Sequence, residues 1–288
     1  MTLSIQEAIQ QGSDELLHAG IEDSQREAGA LLSYVLGKDR VYLVAHSNDL
    51  LNEEQANIFQ SCVARRAAGE PPQYITGHQE FYKLDFELTP DVLIPRPETE
   101  AIVEVVLDLL KHEHAPLIAD VGTGSGCIAI SFLKERPDAR AVATDISVNA
   151  LAVTAQNADR HGVGNRLQLV ESDLLAKLQG QQQFSLIASN PPYIPESDWA
   201  SLPREVREYE PRHALISGLD GLNDIRRLLE DTPCFLRDGG YFVFEIGFGQ
   251  EGYIKTLIDP RVWRLLEVRS DLQGIPRTVV LQRKNIPV

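Results

Sequence analysis

The chain has 288 residues, 43% hydrophobic and 24% charged, enough for one large or two modest globular domains with a real core. Its formal net charge of −15 and pI near 4.9 argue against non-specific binding to nucleic-acid backbones, which needs clustered Lys and Arg. Cys62, Cys127 and Cys234 form no C-x-x-C pair, so neither a disulfide scaffold nor a zinc cluster is expected, and a reducing cytoplasm is the expected home.

Residues 1–70 read as a small module of four or five helices. Ser4-x-x-Glu7 and Ser24-x-x-Glu27 each fit a capping box followed by helically spaced apolar residues, with Gly20 and Gly37 as terminators. Another helix is expected from Asn52 to Ala68, stopping at Gly69 before Pro71-Pro72. No stretch approaches the ~18 apolar residues of a membrane span, and the opening residues lack the basic region of a signal peptide. Between Gln73 and Pro97 the apolar positions Phe81, Phe86 and Leu88 alternate, which reads as a β-hairpin in a linker covering 71–97. Glu98–Leu110 returns to helix and opens a third region, 98–288.

From Pro116 onward strands and helices alternate. Strands are expected at Leu117–Val121, Arg140–Thr144, Leu167–Val170, Leu186–Ser189 and Tyr241–Ile246, with helices near 127–136, 147–161, 221–236 and 249–258. Such alternation implies an α/β fold, doubly wound around a mainly parallel sheet. Gln179–Gln183 reads as a polar loop, and Trp263–Arg269 with Arg277–Arg283 as a closing antiparallel pair.

The strand Leu117–Val121 runs directly into Gly122-Thr123-Gly124-Ser125-Gly126 and the apolar helix after it. Strand, glycine turn and helix at the carboxyl edge of a parallel sheet is where doubly wound folds hold nucleotides. Asp145 ends the next strand, close to the ~20-residue offset at which an acid takes ribose hydroxyls. A dinucleotide fingerprint would need glycine where Cys127 stands. The G-x-G-x-G spacing instead resembles the first motif of S-adenosylmethionine-dependent methyltransferases.

A second constellation, Asn190-Pro191-Pro192-Tyr193, closes the strand ending at Ser189. Consecutive prolines fix φ and remove two amide donors, so the local carbonyls are free to accept from a ligand. With the Asn190 amide oxygen, the Pro191 carbonyl and the flat face of Tyr193, the turn describes a receptor for a planar –NH2 group. Methylating such a nitrogen requires orientation toward an electrophilic carbon more than a strong base, since its lone pair is delocalised.

With both motifs in place, the chain resembles the glutamine-N5 methyltransferases of peptide chain release factors (HemK/PrmC type), class I S-adenosyl-L-methionine-dependent enzymes. The likeness also rests on Tyr74-Ile75-Thr76-Gly77, Glu80-Phe81-Tyr82, Leu93-Ile94-Pro95-Arg96-Pro97-Glu98-Thr99-Glu100 and Glu245-Ile246-Gly247. It implies a seven-stranded Rossmann-like sheet preceded by a helical domain that reads class I release factors, the protein partner. By matching position, Gly122–Gly126 would face the methionine part of S-adenosyl-L-methionine and Asp145 its ribose. Asp173 and Leu174 would flank the adenine, with Leu174 offering apolar contact in place of an aromatic ring. Asn190, Pro191, Pro192 and Tyr193 would hold the glutamine, with Asn190 bordering the cofactor as well. A monomer is expected.

Several residues carry two readings. Arg96, Glu98 and Glu100 either close over cofactor and substrate or follow Pro97 into a helix whose first turn favours acids, two readings that are compatible. Glu245 is either a site residue or an acid held by backbone amides. Glu205–Glu210 is either a lid or a solvated insertion. Arg65-Arg66 and Arg226-Arg227 read mostly as solvated faces, the first with the alternative of meeting a partner from the helical module, and Cys127 reads as a small packing residue. The seven histidines include no i, i+4 pair, so no metal site is expected. Two other acceptors share the pocket chemistry: a glutamine of a ribosomal protein, and an exocyclic amine of a nucleic-acid base. The second would want a basic channel, whereas residues 1–70 carry 11 Asp and Glu against 5 Lys and Arg.

Overall fold

The computed structural model describes residues 3–178 and 183–285, so most of the expected polar loop at 179–183 lies outside the described residues. The chain divides into two compact units, one of Met1–His78 with Pro203–Tyr209 and one of Gln79–Leu202 with Glu210–Val288.

The first unit is helical, with α1 (Ile5–His18), α2 (Ser24–Leu36), α3 (Arg40–Ala45), α4 (Glu53–Ala67) and α5 (Pro72–Thr76). The Ser4–Glu7 capping box forms as expected, and Asn52 with Gln55 makes another at the start of α4. The Ser24–Glu27 box does not form. Ser24 lies inside the helix, its hydroxyl 3.0 Å from that of Ser13, and Glu27 is drawn instead to Arg66. Leu16, Leu31, Leu32, Phe59 and Val63 fill the core, each such burial contributing about 1.5–3 kcal/mol. Gly12 permits close approach of α1 and α4, because a Cβ there would lie 2.8 Å from the Phe59 ring. The hairpin expected from Gln73 begins only at His78, because Pro72 starts and Gly77, at φ +75°, ends the short helix α5.

Arg66 corrects the solvated-face reading. Its side chain is 9% exposed, and it pairs with Glu27 at 2.5 Å and Glu205 at 3.0 Å. Tyr209 donates to the Ala68 carbonyl at 3.2 Å. The segment read as lid or insertion is therefore a short helix, Arg204–Tyr209, built into the helical unit.

A hairpin of β1 (His78–Phe81) and β2 (Leu84–Glu87) carries the chain from the last residue of the first segment into the second unit. Its turn places Tyr82 and Lys83 at φ +49° and +62°, a conformation that favours Asn-Gly. The Glu100 carboxylate holds that turn by accepting the Tyr82 N–H at 2.8 Å. After a 3-10 turn at Pro97–Thr99 come α6 (Glu100–Leu109), β3 (Leu117–Val121), α7 (Cys127–Glu135), β4 (Arg140–Asp145), α8 (Val148–Arg160), β5 (Leu167–Glu171) and β6 (Phe184–Ser189). Beyond α9 (Arg204–Tyr209), the chain forms α10 (Asn223–Asp231), β7 (Leu236–Glu245), α11 (Glu251–Leu257), β8 (Trp263–Ser270) and β9 (Pro276–Arg283). The helix expected to reach 236 stops at Asp231, since Pro233 cannot continue it, and β7 starts earlier than the apolar run at Tyr241.

The sheet order is β5-β4-β3-β6-β7-β9-β8, parallel except for β9. This is the expected doubly wound, mainly parallel seven-stranded sheet. Ile118–Val121 and all of β6 are buried, as strands covered on both faces must be. The strand order reverses between β3 and β6, where Val121 is registered against Ser189 and accepts its hydroxyl at 2.7 Å. Such a switch point leaves a crevice at the carboxyl ends of the strands, and here those ends deliver Gly122 and Asn190.

Candidate active site

The glycine turn is shaped by three left-handed residues, Gly122, Gly124 and Gly126, at φ +72°, +56° and +84°. The first two differ from the third in what surrounds them. A Cβ on Gly122 or Gly124 would meet nothing within 4 Å, so the backbone there borders open space. A Cβ on Gly126 would collide with Ile130 at 2.7 Å and Thr154 at 2.8 Å. The Gly122 and Thr123 N–H groups both donate to the Thr144 carbonyl at 2.9 Å, and Asp145 accepts the Gly124 N–H at 2.9 Å and the Ser147 N–H at 2.9 Å. Beneath the turn, buried Asp120 accepts from the Thr123 hydroxyl at 2.8 Å and the Ala129 N–H at 3.2 Å. Burial pushes its carboxyl up to about 6.

Gly122, Gly124, Asp145, Asp173, Leu174, Asn190 and Pro192 line one cavity, joined by apolar Val92, Ile146 and Ala150 and by His213. Leu174 reaches it from a left-handed backbone at φ +49°, and Asp173 pairs with Arg227 at 2.9 Å. Open glycine backbone beside an acid, with apolar walls beyond, suits a ligand carrying a hydroxylated ring and a flat heterocycle.

At the end of β6, Pro191 is buried and Asn190 half-buried. The Asn190 amide donates to the Thr99 hydroxyl oxygen at 3.0 Å, and Thr99 donates to Glu245 at 2.7 Å. The Tyr193 hydroxyl donates to the other Glu245 oxygen at 3.2 Å. Glu245 is wholly buried, and desolvation lifts its carboxyl to about 7 even though both hydroxyls oppose the shift. Tyr193 is held from behind: Gln250 donates to its carbonyl at 2.9 Å while accepting the Gly247 N–H at 2.8 Å. A Cβ on Gly247 would come within 3.0 Å of the Tyr193 ring, which is why glycine follows Glu245-Ile246.

Residues 7–77 match the family model of the PrmC N-terminal domain, and residues 99–201 that of the methyltransferase small domain. The release factor glutamine methyltransferase of Geobacter sulfurreducens is 45% identical over 264 residues, covering 92% of this chain and 91% of its own length. That of Moorella thermoacetica is 41% identical over 283 residues, covering 98% of this chain and 99% of its own. The chain belongs to the release factor glutamine methyltransferase family. In fold alone it is similar to the T. thermophilus 16S rRNA N2 G1207 methyltransferase in complex with AdoMet and guanosine, with a TM-score of 0.52 and 15% identity over 72% of this chain and 50% of that one.

Against this family background, the singled-out residues fall into distinct places. Thr123, Ser125 and Gly126 are turned into the protein beneath the loop, while Gly122 and Gly124 border the cavity. Tyr193 lines a neighbouring groove with Ile194, Phe248 and Tyr253. Arg96 is engaged by buried Glu210, whose other oxygen accepts the Ile94 N–H at 3.3 Å. Glu98 stands close enough for its charge to favour the protonated form of Glu245. The acid of Glu245 is satisfied by two side-chain hydroxyls and not by backbone amides. Burial holds the Cys127 thiol up at about 12, consistent with a packing role.

Thr99, Gln250 and Asn157 escaped the sequence reading. Asn157, fully buried on α8, donates to the carbonyls of Ser125 at 2.9 Å and Glu87 at 3.0 Å and accepts the Glu87 N–H at 2.8 Å. Only Thr99 carried a signal, as the hydroxyl in the Pro97-Glu98-Thr99-Glu100 run; an Asn within an amphipathic helix, or a Gln just before one, looks like any surface amide.

Proposed function

We propose that this chain transfers the methyl group of S-adenosylmethionine to the side-chain N5 of the glutamine in the Gly-Gly-Gln motif of class I peptide chain release factors, acting in the cytoplasm. Family membership supports the acceptor, and the juxtaposition of open glycine backbone with Asn190 across the β3–β6 switch supports the chemistry. S-adenosylmethionine supplies an electrophilic methyl carbon on a sulfonium. Gly122 and Gly124 would let its amino-acid part lie against the backbone, Asp145 would accept from the ribose hydroxyls, and Asp173 and Leu174 would flank the adenine. The fit rests on the empty space beside those glycines and on the apolar walls at Leu174, Ile146 and Ala150.

Asn190 Oδ1 and the Pro191 carbonyl would each accept one proton of the incoming carboxamide, with Tyr193 and Pro192 packing on its plane. The two acceptors aim the nitrogen and stabilise the positive charge that grows on it during in-line displacement. The proton shed afterwards needs no strong base, because an N-methylated amide nitrogen carrying positive charge is a strong acid. Arg96 and Glu98 are proposed to border the substrate, and the helical module of residues 1–70 to read the partner protein. Among the described residues no helix is long and apolar enough to cross a membrane.

The test is incubation of the enzyme with labelled methyl donor and separate acceptors: release factor, ribosomal proteins, DNA and RNA. Label is expected on the release factor and is expected to vanish when its Gly-Gly-Gln glutamine is replaced. Label confined to ribosomal protein or nucleic acid would refute the proposal.

A further inference from the structure

The Asn190 side chain has two faces of opposite chemistry, an acceptor oxygen and a donor nitrogen, and an amide rotated by half a turn would present the wrong one to a substrate –NH2. What sets the orientation is the chain of hydrogen bonds behind it. An ionised carboxylate only accepts, so the Thr99 hydroxyl must spend its single proton on Glu245 at 2.7 Å. The Thr99 oxygen is thereby left with lone pairs toward Asn190, which answers with its –NH2 group at 3.0 Å. The second Glu245 oxygen is likewise committed, to the Tyr193 hydroxyl at 3.2 Å.

We propose that Thr99 and Glu245 are positioning residues, forming a polar relay that orients Asn190 with its carbonyl oxygen toward the methyl-accepting amide. The relay deepens the function proposed above and rests on it only for the identity of that amide. Thr99 enters from the 3-10 turn before α6 and Glu245 from the end of β7, so three segments far apart in sequence meet at one amide.

Protonation of Glu245 at Oε2, the oxygen facing Thr99, reverses the relay. A carboxylic acid can donate to Thr99, whose hydroxyl then turns its proton toward Asn190 and invites the amide oxygen inward. The groups surrounding Glu245 are the Tyr193 hydroxyl, Arg277 on β9, Glu98 before α6 and the Cys127 thiol on α7. Arg277 favours the charged form and Glu98 opposes it, while burial dominates and places the titration at about 7. The competent form is the ionised one, so turnover rises with pH.

Two readouts test this on the full-length enzyme. With release factor as acceptor, wild-type kcat is expected to rise about tenfold from pH 6 to pH 8, as one ionisation near 7 requires. Glu245→Gln, whose carbonyl accepts from Thr99 at any pH, is expected to flatten that limb. Thr99→Val removes the acceptor for the Asn190 –NH2 and is expected to lower kcat roughly 10–100-fold with KM for the methyl donor little changed. Thr99→Ser is expected to restore most of the loss. Independently of any acceptor, the side-chain amide NMR signals of Asn190 are expected to shift with pH near neutrality in the wild type and to stay put in Glu245→Gln. A pH-dependent limb or shift that survives in Glu245→Gln, or a Thr99→Val enzyme with wild-type kcat, overturns the relay. Absence of methylation by the wild type, with the Asn190 titration present, would instead refute the choice of acceptor and leave the relay standing.

Discussion

Asp120 shows how a single buried acid writes a pH dependence into stability. One of its oxygens is satisfied by Thr123 and Ala129, while the other, Oδ1, has no hydrogen-bond partner among the described residues. Burial is the main cause of its raised affinity for protons, the charge of Asp145 adding to it. The folded protein therefore keeps a proton that the unfolded chain has already released, between the ordinary carboxylate range and about 6. Stability must fall as pH rises through that window, by at most about 3 kcal/mol for a shift of roughly two units. Asp120→Asn keeps the acceptor for Thr123 and Ala129 and removes the ionisation. Urea midpoints measured from pH 4 to 7 are expected to decline for the wild type and to decline less for the variant. Glu245 adds a slope of the same sign extending to about 7, so the variant curve is flattened without becoming level.

Among elements, the joint between the hairpin and the glycine turn depends on one side chain. Asn157 of α8 makes three hydrogen bonds to backbone groups, two on Glu87 of β2 and one on Ser125 of the turn, and Arg160 one helical turn later reaches Asp85 and Glu87 at 2.5 and 2.7 Å. The two contacts differ in weight. The Arg160 pairs are two-fifths exposed and contribute under about 1 kcal/mol each, whereas Asn157→Ala removes the partner of one buried and two part-buried backbone groups and is expected to cost about 2–3 kcal/mol. Hydrogen exchange is the measurement that separates them. Amides of 84–87 and 122–126 are expected to lose protection together in Asn157→Ala and to keep it in Arg160→Ala.

On the scale of the whole molecule, the chain leaves the α/β unit after Leu202, contributes α9 to the helical unit, and returns at Glu210. Arg66 is the residue that makes this excursion part of the helical core, holding Glu27 of α2 and Glu205 of α9 from its place on α4. Removing this buried cation costs Glu27, 21% exposed, its close partner, while Glu205, 43% exposed, stays in contact with water, so Arg66→Ala is expected to destabilise the helical unit by about 1–3 kcal/mol. Faster hydrogen exchange is expected in α2, α4 and α9 together, with β3 and β6 unaffected. Independent behaviour of α9 would show that the excursion is held by something else.

Local pattern alone determined much of this protein. Short apolar runs alternating with helical segments located the strands of the seven-stranded sheet, because a strand covered on both faces must be apolar at successive positions. Glycine and proline marked the two turns that border the cavity, because they act on the backbone conformation of their own position. The Ser24 box and the Arg65-Arg66 pair misled for the complementary reason: a capping serine or a charged side chain chooses among partners, and the better partners came from other helices. The Tyr82-Lys83 turn was invisible because its left-handed backbone is held by Glu100, 18 residues away in sequence. Tertiary structure alone decided the assembly of Thr99, Asn190, Tyr193 and Glu245. A hydrogen-bonded chain through four side chains has a direction only once folding excludes water and leaves each hydroxyl proton a single acceptor.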